Sequence, residues 1–216
     1  MPSRSSRQHR PTDAASHADA GELAAYEVLV CVCGGIAAYK VAALVSELVR
    51  QGCGVTVAMT RSARRLVGPA TFRALTGRPV YTSMWRSGGA ARMPHLGLAE
   101  AADLIVVAPA TANILGKLAG GIADDLVSTL LLAADSPVVL VPAMNTRMWQ
   151  HPAVRRNVAW LREAGFILVG PEEGRLACGT VGPGRMVDPQ RLLEAIQTHL
   201  RSRPAKRLHS PTRGSR

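Results

Sequence analysis

The sequence predicts an α/β protein in which a mainly parallel sheet is covered by helices on both faces. Three observations point there. Short β-branched apolar runs such as "VLVCVC" and "LIVVA" alternate with segments of helical period. Glycine and proline stand at the joints, as at Gly52, Pro69, Pro152 and Pro189. With 216 residues, 47% of them hydrophobic, the chain can form one domain that buries roughly 70% of its unfolded surface.

"YEVLVCVCGG" reads as the first strand and turn. "IAAYKVAALVSELVRQG" follows as a helix, with Ile36, Tyr39, Ala43, Val45 and Leu48 assigned to its apolar side and Gly52 as its stop. "CGVTVAMT" is the second strand, Pro69 opens a helix to Leu75, and "GRPVYTSMW" ends in a short edge strand. "ADLIVVAPA" is a buried strand, followed by the helices "TANILGKLAGG" and "ADDLVSTLLLAA". "PVVLVPAM" is the next strand, and "NTRMWQHPAVRRNVAWLREAG" a helix interrupted at Pro152. "FILVG" is a late strand, and "PQRLLEAIQTHL" a closing helix with proline in its first turn. Residues 171–188 form a connection of unclear periodicity, longer than an ordinary loop.

The formal charge of +11 suggests a nucleic-acid partner until its location is considered. Arg201, Arg203, Lys206, Arg207, Arg213 and Arg216 crowd into a basic tail, and aromatic residues are only 4% of the chain. No recognition helix or aromatic-laced basic patch accompanies them, so nucleic acid is not the expected partner. The N-terminal stretch has no apolar run of signal-peptide length, and Asp13 and Asp19 disfavour a transit peptide. No run of about 20 apolar residues suggests a membrane span. A cytoplasmic domain at 25–200 is expected, between disordered tails at 1–24 and 201–216. Cys31, Cys33, Cys53 and Cys178 fit neither a disulfide framework nor a metal site and read as free thiols.

In sheets of this kind, ligands bind beyond the carboxyl ends of the strands. "CGGIAAYK" opens a helix there, so its N–H groups could hold a phosphate or form a plain tight turn; it is neither G-x-G-x-x-G nor a P-loop. "APATANIL" places Thr111 and Asn113 at a second helix mouth, for capping or for a ligand. His95 precedes a helix whose positive end favours neutral imidazole. Asn145 could orient a carboxylate or cap a helix. Cys178 stands among Gly174, Gly179, Gly182 and Gly184, either as a chance loop thiol or as a group carried by a lid.

"GGIAAYK", "PHLGLAEAADLIVVAPATAN", "GGIADDL", "PAMNTRMW" and "RLACGTVGPGRM", in this order from about Tyr26 to Leu200, resemble the flavin-dependent cysteine decarboxylases. Within them the likeness is in particular to the branch acting on phosphopantothenoylcysteine in coenzyme A synthesis. That resemblance implies a Rossmann-like (flavodoxin-like) three-layer sandwich, assembled as a homotrimer or a homododecamer of trimers, with FMN between subunits. It places FMN against Gly35, Ile36, Ala37, Thr60, Thr111, Ala112, Asn113 and Ile114, with Leu66 where some relatives carry an aromatic residue. It implies His95 as the base, Asn145 as the ligand of the substrate carboxylate, Met148 and Ala177 as substrate contacts, and Cys178 as the proton donor. No metal is implied. The reaction expected is decarboxylation of 4'-phosphopantothenoylcysteine to 4'-phosphopantetheine through a thioaldehyde and an enethiolate. Many relatives continue into a synthetase domain, so either a separate synthetase is the expected partner or this copy serves another pathway. The alternatives are an oxidative peptidyl-cysteine decarboxylase, a flavin prenyltransferase on a related fold, and a non-catalytic flavin-binding regulatory subunit. The A-C-G-x-x-G-x-G-R-M stretch at 177–186 argues against the first two, and the His95, Asn145 and Cys178 set against the third.

Overall fold

The computed structural model describes residues 22–85 and 94–206. Its centre is a sheet of six parallel strands: β1 (Glu27–Val32), β2 (Gly54–Met59), β3 (Val80–Tyr81), β4 (Leu104–Ala110), β5 (Val138–Pro142) and β6 (Ile167–Leu168). Their order is β3-β2-β1-β4-β5-β6. The helices are α1 (Ala38–Arg50), α2 (Pro69–Thr76), α3 (Pro94–Ala101), α4 (Ala112–Ala119), α5 (Leu126–Leu132), α6 (Thr146–Gln150), α7 (Pro152–Glu163) and α8 (Pro189–Arg201). A short 3-10 turn covers Ala63–Arg65.

Strand residues alternate between two cores because successive side chains point to opposite faces. Val28, Val30 and Val32 of β1 face Val41, Leu44 and Leu48 of α1, Phe72 of α2 and Ile196 of α8. Leu29 and Cys31 face the other way, onto Leu115 and Leu118 of α4, Val127 of α5 and Leu161 of α7. The sheet is therefore the middle of three layers, as expected, and its strands are apolar on both faces because both are covered. The packed body reaches slightly past 25–200. Leu23 is fully buried in the first core, and Lys206 Nζ donates to Ser136 Oγ at 2.6 Å and to the Glu100 carbonyl at 3.1 Å. Residues 1–21 and 207–216 of the expected tails lie outside the described residues.

Two expectations are corrected. The apolar side of α1 is rotated from the one assigned: Ala38, Val41, Leu44, Val45 and Leu48 are buried, whereas Ile36 and Tyr39 are 63% and 62% exposed and Ala43 is exposed. The connection 171–188 is largely ordered as an antiparallel hairpin, β7 (Glu172–Arg175) with β8 (Val181–Arg185). Glycines at 174, 182 and 184 removed the side-chain alternation that would have marked its strands, and Pro183 is tolerated because the sheet has only two strands. No described helix is long and apolar enough to cross a membrane.

All four cysteines are free. Burial pushes the Cys33 thiol up to about 12 and Cys53 from 9.0 to about 12. The folded protein keeps these protons at pH values where the unfolded chain loses them, so their contribution is intact below about pH 9 and declines as pH rises toward 12, by up to about 1.4 kcal/mol per pH unit for each group. Thermal melting followed over that window should show a falling Tm. The fall should be shallower in Cys53→Ala, and an equally steep fall in that variant would contradict the assignment.

Candidate active site

The strand order reverses direction of winding between β1 and β4, and the loops leaving those strands part there to form a crevice. A cavity of about 1120 Å³ opens at this point, just above the roughly 300–1,000 Å³ usual for ligand pockets. One side is the turn after β1. A Cβ on Gly34 would stand 2.3 Å from Ser62 Cβ, and one on Gly35 would stand 3.2 Å from Pro109 Cγ. Glycines let the turn after β1 meet the loop after β2 and the end of β4 so closely, and their meeting brings the first turn of α1 to the cavity.

Gly35, Ile36, Ala37, Thr60, Thr111, Ala112, Asn113 and Ile114 all line this cavity. Thr111 also caps α4, its side chain accepting from Ile114 N at 3.4 Å. Leu66 is 44% exposed and is not on the cavity wall. Lys40, Arg61, Ser62 and Ala143, not singled out in the sequence, line it as well. Lys40 and Arg61 have no carboxylate partner among the described residues, unlike Lys117, which reaches Asp125 at 2.6 Å and Asp124 at 2.5 Å. Two lone cations beside a helix mouth could have been found by asking which basic residues flank the glycine turn.

The other wall is built from the loop after β5 and the hairpin. Asn145 takes one of the two roles the sequence left open, that of a helix cap. Its Oδ1 accepts from Arg147 N at 2.8 Å and caps α6. This fixes the amide rotamer and turns Nδ2 toward Cys178 Sγ at 3.2 Å. Met148 and Ala177 stand on the same wall. Cys178 lies in the turn of the hairpin, closed by Leu176 N donating to Thr180 O at 2.8 Å. Its sulfur is 3.1 Å from Thr180 Oγ1. The hydrogen bonds from Thr180 first, and then from Asn145, lower the Cys178 thiol from its ordinary value, in contrast to the three buried cysteines.

The hairpin is set on the β5 loop by close backbone approach. Met144 N donates to Gly184 O at 2.9 Å. A Cβ on Gly184 would meet Met144 O at 2.2 Å, and one on Gly182 would meet Thr146 Oγ1 at 2.7 Å. His95 is not brought to this wall. It is the second residue of α3, and its Nδ1 is buried with no hydrogen-bond partner among the described residues.

The Flavoprotein family profile matches residues 16–201. This chain belongs to that family. It is 51% identical over 172 residues to the coenzyme A biosynthesis bifunctional protein CoaBC of Bacillus subtilis, covering 80% of this chain and 42% of that protein. The CoaBC protein of Mycolicibacterium smegmatis is 44% identical over 170 residues, covering 79% of this chain and 41% of that one. The chain thus spans less than half the length of these relatives. Among solved structures, a Cys→Ser variant of PPC decarboxylase complexed with pantothenoylaminoethenethiol superimposes with a TM-score of 0.72 at 31% identity, covering 80% of this chain and 97% of that one. The FMN-dependent cysteine decarboxylase SpaF gives 0.73 at 39% identity, with 83% and 97% covered.

The pH dependence of alkylation at Cys178, the exposed cysteine, should show a midpoint below 9.0. Thr180→Val should move that midpoint upward with little change in Tm; an unmoved midpoint would show that the Thr180 hydroxyl does not act on the thiol.

Proposed function

We propose that this protein is a carboxy-lyase that converts phosphopantothenoylcysteine to phosphopantetheine in coenzyme A synthesis, with FMN as cofactor. The observation that carries the reading is the placement of the Cys178 thiol 3.2 Å from the Asn145 amide on the wall of a cavity that also holds two helix mouths. The residues fit FMN. The first turn of α1, the hydroxyls of Thr60 and Ser62, and the cations Lys40 and Arg61 lie together on the cavity wall and match a phosphate. Ile36, Ile114 and Met148 give apolar surface for a ring system.

When bound, FMN supplies a reversible two-electron exchange with the thiol-bearing carbon of the substrate. An N-acylcysteine carboxylate has no electron sink of its own, because the carbanion left by loss of CO2 is not conjugated. Oxidation of the thiol carbon to a thioaldehyde places a C=S group β to the carboxylate, and decarboxylation then gives an enethiolate.

The chain's own residues hold and protonate these species. Asn145, with Oδ1 committed to Arg147 N and one Nδ2 hydrogen directed at Cys178 Sγ, keeps the second Nδ2 hydrogen to donate to the substrate carboxylate. Cys178 delivers a proton to the carbon that carried the carboxylate. The Thr180 and Asn145 hydrogen bonds stabilise the thiolate left behind and so favour the transfer. Without that proton the enethiol would leave, and the Cys→Ser relative is indeed complexed with an enethiol.

His95 would act as the base, but in the cavity of a neighbouring copy, since it lies off the wall in its own chain. Ile36 and Tyr39, apolar and exposed at the cavity, are suited to cover by that copy. A homotrimer, or a dodecamer of trimers, in the cytoplasm completes this reading, with phosphopantothenoylcysteine supplied by a synthetase. Arg175 lines the cavity without an ion-pair partner among the described residues and is the cation best placed for the substrate phosphate. Arg185 is engaged with Glu172 at 2.9 Å, and Arg147 is not on the wall. The second reading is an FMN-dependent decarboxylase of another cysteine substrate such as a peptide; the 39% identity to the FMN-dependent cysteine decarboxylase SpaF supports the cysteine chemistry common to both readings, and the cysteine hairpin favours the first.

Incubation of the FMN-loaded protein with phosphopantothenoylcysteine should yield phosphopantetheine by mass analysis, and no turnover would refute the proposal. Cys178→Ser should release a product two mass units lighter. Arg175→Ala should raise KM for the phosphorylated substrate about tenfold or more with kcat little changed; an unchanged KM removes Arg175 from phosphate recognition.

A further inference from the structure

The hairpin carrying Cys178 is held at its base by a carboxylate that no step above uses. Glu172, the first residue of β7, has a side chain only 15% exposed. Its Oε2 accepts from Arg185 Nη2 at 2.9 Å, and its Oε1 accepts from Arg191 Nη1 at 2.8 Å. Arg185 is the last residue of β8 and the register partner of Glu172, while Arg191 lies in the first turn of α8. One carboxylate thus ties both strands of the hairpin to a helix of the main body. The two guanidinium groups, Arg185 foremost, hold the Glu172 carboxyl below the ordinary carboxylate range, so the clamp is charged at neutral pH.

Arg185 is the hinge point of this arrangement. It borders both the large cavity that holds Cys178 and a second cavity of about 790 Å³ lined by Glu172, Arg191, Glu194 and Thr198. Its Nε is buried without a partner among the described residues, so Glu172 is what fixes the guanidinium. The side chain passes directly beneath Gly174 of β7, where an added Cβ would come within 3.2 Å of that Nε. The strand β8 has a second pin, the backbone contact of Gly184 with Met144. A hairpin held only there, by packing of Gly182 on Thr146 and by the single Asn145–Cys178 hydrogen bond, can still pivot. With strands of four and five residues rising about 3.3 Å each, a base rotation of roughly 10° moves the tip by about 2 to 3 Å, and misplacement of a reacting group by about 1 Å can cost about 100-fold in rate.

We propose that Glu172 is a positioning residue for Cys178: by bridging Arg185 and Arg191 it fixes the tilt of the hairpin and so decides whether the substrate carbon receives its proton. This rests on the reading of Cys178 as the acid. With the clamp in place, the thiol proton goes to the α-carbon, the hydride returns to the β-carbon, and the conversion is redox-neutral. With the clamp lost, CO2 still leaves, but the product departs as the enethiol, and its two electrons stay on the FMN, one reduced FMN for each enethiol in a single anaerobic turnover.

The test is a single anaerobic turnover of FMN-loaded protein with phosphopantothenoylcysteine, measuring the enethiol-to-phosphopantetheine ratio, CO2 release and FMN content. Glu172→Gln should raise that ratio about tenfold or more while CO2 release changes less than about threefold. Glu172→Asp, which keeps the charge, should shift it less. Arg191→Met alters a residue whose side chain is 70% exposed, so it tests the same clamp should Glu172→Gln fail to fold, and it should shift the ratio in the same direction. A lower yield or FMN content with an unchanged ratio in both variants would mean a merely structural role and overturn the proposal. If Cys178→Ser raises the ratio and the clamp variants do not, the proposal alone falls. If Cys178→Ser itself gives normal phosphopantetheine, the underlying reading of Cys178 falls and the proposal with it.

Discussion

The carbonyl oxygen of Met144 lies 2.2 Å from where a Cβ on residue 184 would stand, and the arrangement of the site depends on that approach. Glycine at 184 lets β8 come down onto the loop after β5 and exchange a 2.9 Å backbone hydrogen bond with Met144. Residue 145 is next in that loop, and Cys178 is in the turn of the same hairpin, so one backbone contact brings an amide and a thiol from 33 residues apart to 3.2 Å. The cap of α6 then settles the direction of the amide, because Oδ1 is used by Arg147 N. A rule as general as helix capping thus selects which end of Asn145 faces Cys178.

The sheet supplies the other half. Six parallel strands wound in both directions from the β1/β4 pair leave a crevice where the first turns of α1 and α4 both line the cavity. Strands buried on both faces make that scaffold rigid, and the unoccupied polarity is at its carboxyl edge. The thiols divide along the same line. Cys31, Cys33 and Cys53, within the layers, are driven up by burial, whereas Cys178, at the edge, is drawn down by hydrogen bonds. Position in the fold, not residue type, determines which cysteine is suited to proton transfer.

Much of this is legible in the sequence where the signal is local. The apolar runs locate the buried strands, Pro69, Pro152 and Pro189 mark helix starts, and the motif order locates both walls of the cavity. What escapes is set by tertiary context. Ile36 and Tyr39 look like core because they are apolar and correctly spaced, yet the buried stripe of α1 runs through Val41, Leu44 and Leu48, and the other two face outward. The hairpin looks like loop because its strands are rich in glycine for the sake of close approach to Thr146 and Met144. The resemblance assigns His95 the role of base, but a motif carries no position in space, and within one chain His95 lies off the cavity wall.

The central claim is that a single fixed donor, Cys178, protonates the carbon from which CO2 departs, on a substrate oriented by Asn145. Turnover of phosphopantothenoylcysteine in D2O, with NMR of the product, tests it most directly. The account predicts one deuterium at the former α-carbon, in one stereochemical position only, since the thiol approaches from one face. Equal incorporation at both positions would mean protonation by free solvent and would contradict it.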